Sequence, residues 1–150
     1  MDIKTQLENS LKDALRSGDD VRKRTVRMAL SAIRFQEIEK GKALDDHAVM
    51  VVLQKELKAR HESIDDARRA DRPDLIAASQ AEIEVLLSFL PKPFTPEELE
   101  ALARQVITEV GATSMREMGQ VMKALTPLLE GRATGDQASQ AVRKLLSAAG

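Results

Sequence analysis

Leu90-Pro91-Lys92-Pro93-Phe94-Thr95-Pro96-Glu97-Glu98 is the stretch that decides how this chain is built. Pro91 and Pro93 each lack a backbone N–H, and each disfavours helix in the residue before it. Immediately afterwards Thr95-Pro96-Glu97-Glu98 has the form of a helix start. Thr95 stands at the N-cap, Pro96 at the first helical position, and Glu98 where it closes a capping box. The stretch ends one helical region and opens another. It predicts two sub-domains, residues 1–90 and 95–150, joined by a stiff proline-containing linker.

On both sides of it apolar residues recur at steps of three and four, the signature of helices with one buried face. Asp2 to about Ser17 carries Ile3, Leu7, Leu11, Ala14 and Leu15, and Gly18 stops it. Asp19 or Asp20 caps a second helix to about Lys40, with Val26, Ala29, Leu30 and Ile33 on one face and Gly41 beyond. A third starts at Asp45 or Asp46 and follows Val49, Val52, Leu53, Leu57, Ile64 and Ala67 to about Ala70. Pro73 opens a fourth, with Leu75, Ile76, Ile83, Leu86, Leu87 and Leu90.

After the linker, a fifth helix runs from Thr95 to about Val110 and stops at Gly111. Ser114-Met115-Arg116-Glu117 repeats the capping-box form for a sixth, and Asp136 caps a seventh ending near Ala148. No period-two alternation interrupts the pattern. The expected fold is all-α: four helices, then a three-helix C-terminal unit.

The composition excludes several functions. With 43% hydrophobic and 31% charged residues, the chain can bury cores and is too polar for a membrane-embedded protein. The absence of cysteine removes disulfides, thiolate zinc sites and thiol nucleophiles. Met1-Asp2-Ile3-Lys4-Thr5 lacks the order of a secretory signal, and a cytoplasmic protein is expected. His47 and His61 have no second ligand at metal spacing, so no metal is expected. No nucleophile elbow, phosphate-binding loop or dinucleotide motif is present. No catalytic residue and no cofactor is assigned.

The charge is unevenly spread although the net is only -1. Arg16, Arg22, Lys23, Arg24, Arg27 and Arg34 crowd the second helix and its approach, while the segment from Asp74 to Glu109 is mainly acidic. On a helix Lys23, Arg24, Arg27, Ser31 and Arg34 fall on one side, where four cations could straddle phosphates. The bland alternative is a solvated face. Lys58 with Glu62 and Asp65 with Arg69 are expected surface ion pairs. Arg60 lies close to the Leu57/Ile64 stripe and is expected to pair with a buried or interfacial carboxylate. With aromatic residues at 2%, nucleic-acid binding would rest on phosphate contacts and shape rather than base stacking.

In the sixth helix Met115, Met118, Met122, Leu125 and Leu129 step by three and four. Such a stripe reads first as core and second as an adaptable recognition surface. Gly119 costs helix stability, and close backbone approach is the expected compensation; Gly131 marks the turn toward the last helix.

Together these residues resemble the YqeY family, related to the tail of the B subunit of tRNA-dependent amidotransferases. The matching elements are Arg22-Lys23-Arg24-Thr25-Val26-Arg27-Met28, Glu37-Ile38-Glu39, Lys58-Ala59-Arg60-His61-Glu62-Ser63-Ile64 and Ala70-Asp71-Arg72-Pro73-Asp74-Leu75. Leu90-Pro91, Met118-Gly119-Gln120-Val121-Met122, Gly131-Arg132-Ala133 and Val142-Arg143-Lys144-Leu145-Leu146 complete the set, so the resemblance spans essentially the whole chain. It implies two all-helical sub-domains and an association with carbon–nitrogen ligase systems that use glutamine as amide donor. It also implies a partner such as an amidotransferase or an aminoacyl-tRNA synthetase, because the ligase and glutaminase machinery lies outside the tail.

The resulting expectation is a non-catalytic tRNA-binding accessory module. Lys23, Arg24, Arg27 and Arg34 form one phosphate-contacting set, and Lys123, Arg132, Arg143 and Lys144 a second. The alternative is a protein–protein interaction module that uses Met115, Met118 and Met122 and never touches RNA.

Overall fold

The computed structural model describes residues 1–149, and these form two compact helical units, the first Met1–Leu90 and the second beginning at Pro91. Among the described residues there are seven α-helices and no strand.

The first unit comprises α1 (Ile3–Ser17), α2 (Asp20–Lys40), α3 (Asp46–Arg69) and α4 (Pro73–Leu87). Aspartates start the first three: Asp2, Asp19 and Asp45 accept from the backbone N–H groups of Thr5, Arg22 and Ala48, groups that a helix start otherwise leaves unpaired. Gly18 and Gly41 end α1 and α2 in the left-handed conformation. α1 packs along α2, and α3 along α4. Leu7, Val26, Ala29, Ile33, Val49, Leu53 and Leu86 meet in the core, each essentially closed to water. Truncating Leu7 or Leu53 to Ala would cost about 2–5 kcal/mol, as for other well-packed aliphatic side chains.

Polar contacts fix where the two helix pairs join. The Ile3 N–H donates to Asp46 Oδ1 at 3.0 Å. Lys4 Nζ donates to Glu37 Oε1 at 2.9 Å, and the Leu44 N–H donates to Glu37 Oε2 at 3.0 Å. One carboxylate on α2 thus holds both α1 and the loop leading into α3.

The second unit comprises α5 (Pro96–Val110), α6 (Met118–Leu125) and α7 (Gly135–Ala149), with single 3₁₀ turns at Met115–Glu117 and Thr126–Leu128 flanking α6. Its core is Leu99, Ala103, Val106, Val121, Leu125, Ala138, Val142 and Leu146. The Thr95–Glu98 capping box forms as its sequence dictates.

Two helix starts differ from expectation. Ser114 makes no side-chain cap; Glu117 instead accepts from the N–H and hydroxyl of the residue before it, Thr113, at 3.0 and 3.2 Å. At α7 the reciprocal pair is Thr134 with Gln137: Thr134 Oγ1 accepts from Gln137 N–H, and Gln137 Oε1 from Thr134 N–H. Asp136 falls inside the first turn rather than at its cap. At α7 the capping residue is thus Thr134, two positions upstream of Asp136, whereas Ser114 keeps the N-cap position of its 3₁₀ turn without a side-chain bond.

The proline stretch is not a free tether. The Phe94 N–H donates to Arg132 O at 2.9 Å, Arg132 Nε donates to Lys92 O at 2.9 Å, and the guanidinium lies 3.9 Å from the centre of the Phe94 ring. Pro91–Phe94 belongs to the second unit.

Candidate functional site

α2 turns Thr25, Val26, Ala29 and Ile33 into the core. At about 100° per residue, its opposite side carries a strip of Arg27, Ser31, Arg34 and Ile38. Lys23 borders one edge, and Arg24, Met28 and Phe35 border the other. All are exposed except Lys23, which is half-buried. The sequence therefore brings its first four candidate cations together.

They are not equivalent. Lys23 Nζ lies 3.4 Å from Asp20, one turn back. Arg24 Nε lies 3.4 Å from Glu82 of α4. Each pair has one solvent-exposed partner, Asp20 or Arg24, and is worth at most about 1 kcal/mol, so it can yield to a ligand. Arg27 and Arg34 have no ion pair among the described residues, and Arg34 acts only at longer range, as one of the charges that favour ionised Glu37. From Lys23 to Ile38 no acidic side chain interrupts the strip itself; Glu37 and Glu39 lie to either side of it.

Beneath the edge of the strip sits a buried cation. Arg60 of α3 donates Nη1 to the backbone carbonyl and carboxylate of Glu56, both at 3.3 Å. Its Nη2 contacts Met28 Sδ at 3.5 Å, and its Nε lies 3.3 Å from Glu82 Oε2 without hydrogen-bond alignment. Arg60 thus has the carboxylate partners expected of it, and it shares Glu82 with Arg24. The expected Asp65–Arg69 pair is replaced by Arg68–Asp65 and Arg69–Asp66, each three residues apart.

The second set is dispersed over the other unit. Lys123 and Arg143 are exposed on α6 and α7. Lys144 lies 3.8 Å from Glu100. Arg132 faces inward onto Lys92, Phe94 and Glu98. Of the three methionines of the sixth-helix stripe, Met118 and Met122 are half-buried against the second core and Met115 is exposed. Gly119 does not mark a close approach: a Cβ there would meet nothing within 4 Å. Gly131 has a left-handed φ of 76° in the turn before α7.

The residues not anticipated are Met28, Phe35 and Ile38, which are 47%, 59% and 70% exposed. All three lie off the Val26/Ala29/Ile33 line, and Met28 and Ile38 each follow an arginine, Arg24 and Arg34, by four residues, but their exposure was not readable from that spacing. Among the described residues no group of three His, Asp or Glu side chains converges as a metal site, and no helix is long and apolar enough to cross a membrane. His61 lines an open groove between α3 and α4 with Ile64, Asp65, Arg68, Gln80 and Glu84.

The molecule is a two-unit all-helical protein whose most distinctive surface is one helix face of cations and bare apolar side chains. A family model described as Yqey-like protein matches residues 4–146, and the chain belongs to the YqeY family. It is similar to proteins named altered inheritance of mitochondria protein 41, mitochondrial. The one from Lachancea thermotolerans is 34% identical over 113 residues, covering 73% of this chain and 60% of the relative. The one from Eremothecium gossypii is 31% identical over 115 residues, covering 75% and 63%. The one from Saccharomyces cerevisiae is 30% identical over 95 residues, covering 63% and 51%. The chain spans between about half and two thirds of the length of these relatives.

These names correct the cytoplasmic placement expected from the sequence, since the relatives are mitochondrial proteins. The expectation rested on missing cysteines and a missing secretory pattern. The lack of cysteine leaves no disulfide framework to expect, and it does not separate one reducing compartment from another.

Proposed function

We propose that the protein is a non-catalytic accessory module that binds the phosphate backbone of tRNA through the outer face of α2, and so assists an amidotransferase or aminoacyl-tRNA synthetase. The observation that carries this reading is Arg27 and Arg34, exposed on an acid-free strip with Lys23 and Arg24 at its edges. Arginine suits this role because its planar fork matches phosphate oxygens. The choice of tRNA rests on the resemblance drawn from the sequence, which relates this family to the tail of the amidotransferase B subunit. In this reading the carbon–nitrogen ligase chemistry belongs to the partner enzyme, and the α2 face contributes binding through its cations and apolar groups.

The rival protein-docking surface loses two of its three methionines to the core. The test is binding of the purified protein to total tRNA across a salt series, with duplex DNA as control. Binding that falls with salt and is weakened by Arg27→Gln with Arg34→Gln supports the reading. The double variant should reduce the salt slope by about two ions. Absence of tRNA binding at low salt would overturn it.

A further inference from the structure

Phe35 stands apart from the chain's other two phenylalanines. Phe89 has the Arg22 guanidinium 5.9 Å from its ring centre, and Phe94 has Arg132 at 3.9 Å; both rings are half-buried. Over Phe35 no such cation lies among the described residues, and the side chain is 59% exposed. Leaving a phenyl ring in water forfeits one of the larger burial gains available to a side chain. Next to it in the chain is Arg34, which has no ion pair among the described residues, while Glu39 lies one turn on.

The arrangement along α2 is two parallel columns. Lys23, Arg27 and Arg34 form the cationic one, with Arg27 and Arg34 roughly 10 Å apart along the axis. Met28 and Phe35 form the apolar one, and Ser31 and Ile38 lie between them. A nucleotide presents the same two chemistries side by side, an anionic phosphate edge and an apolar base face. In a paired helix the base faces are stacked away and only the phosphates are offered. At a single-stranded end or loop both are offered together.

Resting on the RNA reading above, we infer that Phe35 is a stacking platform for an unpaired base, so that α2 recognises a single-stranded end or loop of its RNA rather than duplex alone. Arg27 and Arg34 hold the flanking phosphates. Met28 and Ile38 keep water from the stacked base. This departs from the expectation that scarce aromatics limit the protein to phosphate contacts: one exposed ring on the same helix as a cationic column suffices for a single base.

The experiment uses the full chain and two labelled RNAs, a blunt hairpin and the same hairpin with a 3′ single-stranded extension, each titrated over a salt series. The wild type should bind the extended hairpin roughly tenfold more tightly. Phe35→Leu keeps apolar bulk and removes the ring. It should abolish that preference while leaving blunt-hairpin affinity and salt slope unchanged. Because the side chain is exposed, the fold is not at stake, and circular dichroism confirms it. An unchanged preference in Phe35→Leu, with salt-dependent binding intact, overturns the stacking role and leaves the RNA reading standing. That result would assign Phe35 to a protein contact. Failure of the wild type to bind either hairpin overturns both.

Discussion

Arg60 places its Nε 3.3 Å from Glu82 Oε2 with 7% of its side chain exposed, and Glu82 in turn lies 3.4 Å from Arg24 on the outer strip. A guanidinium that buried is stable only while its carboxylates hold it, because an unpaired charge in a low-dielectric site is strongly unfavourable. Glu82→Ala leaves Arg60 with Glu56 alone and should lower unfolding free energy by about 3 kcal/mol in urea melts. Arg60→Met combined with Glu82→Leu should recover most of that loss. A Glu82→Ala protein within 0.5 kcal/mol of wild type, roughly the scatter of surface substitutions, would show that the pair contributes nothing.

Glu37 gives the first unit an acid-sensitive joint. Lys4 Nζ donates to it, and so does the Leu44 N–H; these bonds favour the ionised form and hold its carboxyl below the usual 4.5. A carboxyl depressed on folding contributes stability that is fully present above its unfolded value and is lost as pH falls through its folded one. The contribution is therefore intact near neutrality and fades below about pH 4.5. Glu37→Gln should lower the urea midpoint at pH 7, and the gap to wild type should narrow by about pH 3. A gap of constant size across that range would mean the carboxylate's charge is irrelevant.

Arg132 predicts where the second unit loosens. Arg132→Ala removes the stack on Phe94 and the bond to Lys92 O, together worth about 1–2 kcal/mol, and frees the proline segment. Amide exchange at Phe94, whose N–H donates to the Arg132 carbonyl, should accelerate while the exchange of Val106 in the core stays slow. Arg132→Lys should recover little, because an ammonium lacks both the planar stack and the fork. Unchanged Phe94 exchange in Arg132→Ala would mean the backbone bonds suffice.

The sequence made α1 to α5 legible because each begins with an aspartate, proline or threonine signal. α1, α2 and α5 end at glycines, while α3 and α4 stop a few residues short of Pro73 and Pro91, α4 at Leu87 rather than Leu90. α6 and α7 were displaced at their starts: Met115–Glu117 forms a 3₁₀ turn before α6, and several adjacent residues could cap α7, of which the packed chain selects Thr134. The cations of α2 were readable from spacing alone. Which of them stays unpaired was not, since Glu82, the partner of Arg24 and Arg60, is 58 residues from the former. Met28, Phe35 and Ile38 were hidden for a different reason. An apolar residue at helical spacing is normally evidence for a core, and exposure is a property of what the fold leaves uncovered.

Gly119 and Gly131 should respond to alanine with opposite signs. Gly119 lies in α6 with helical geometry and open space where a Cβ would go, so its only effect is the entropy it adds to the unfolded chain. Gly119→Ala should stabilise by about 0.5–1 kcal/mol. Gly131 follows Glu130, itself left-handed at φ 49°, and the two turn the chain from the 3₁₀ segment back toward α7. A side chain at φ 76° clashes with its own carbonyl, so Gly131→Ala should destabilise by about 1–2 kcal/mol. Thermal melts of the two variants decide it. Destabilisation by Gly119→Ala would instead place a partner's backbone against α6, since the isolated unit gives that methyl group nothing to strike.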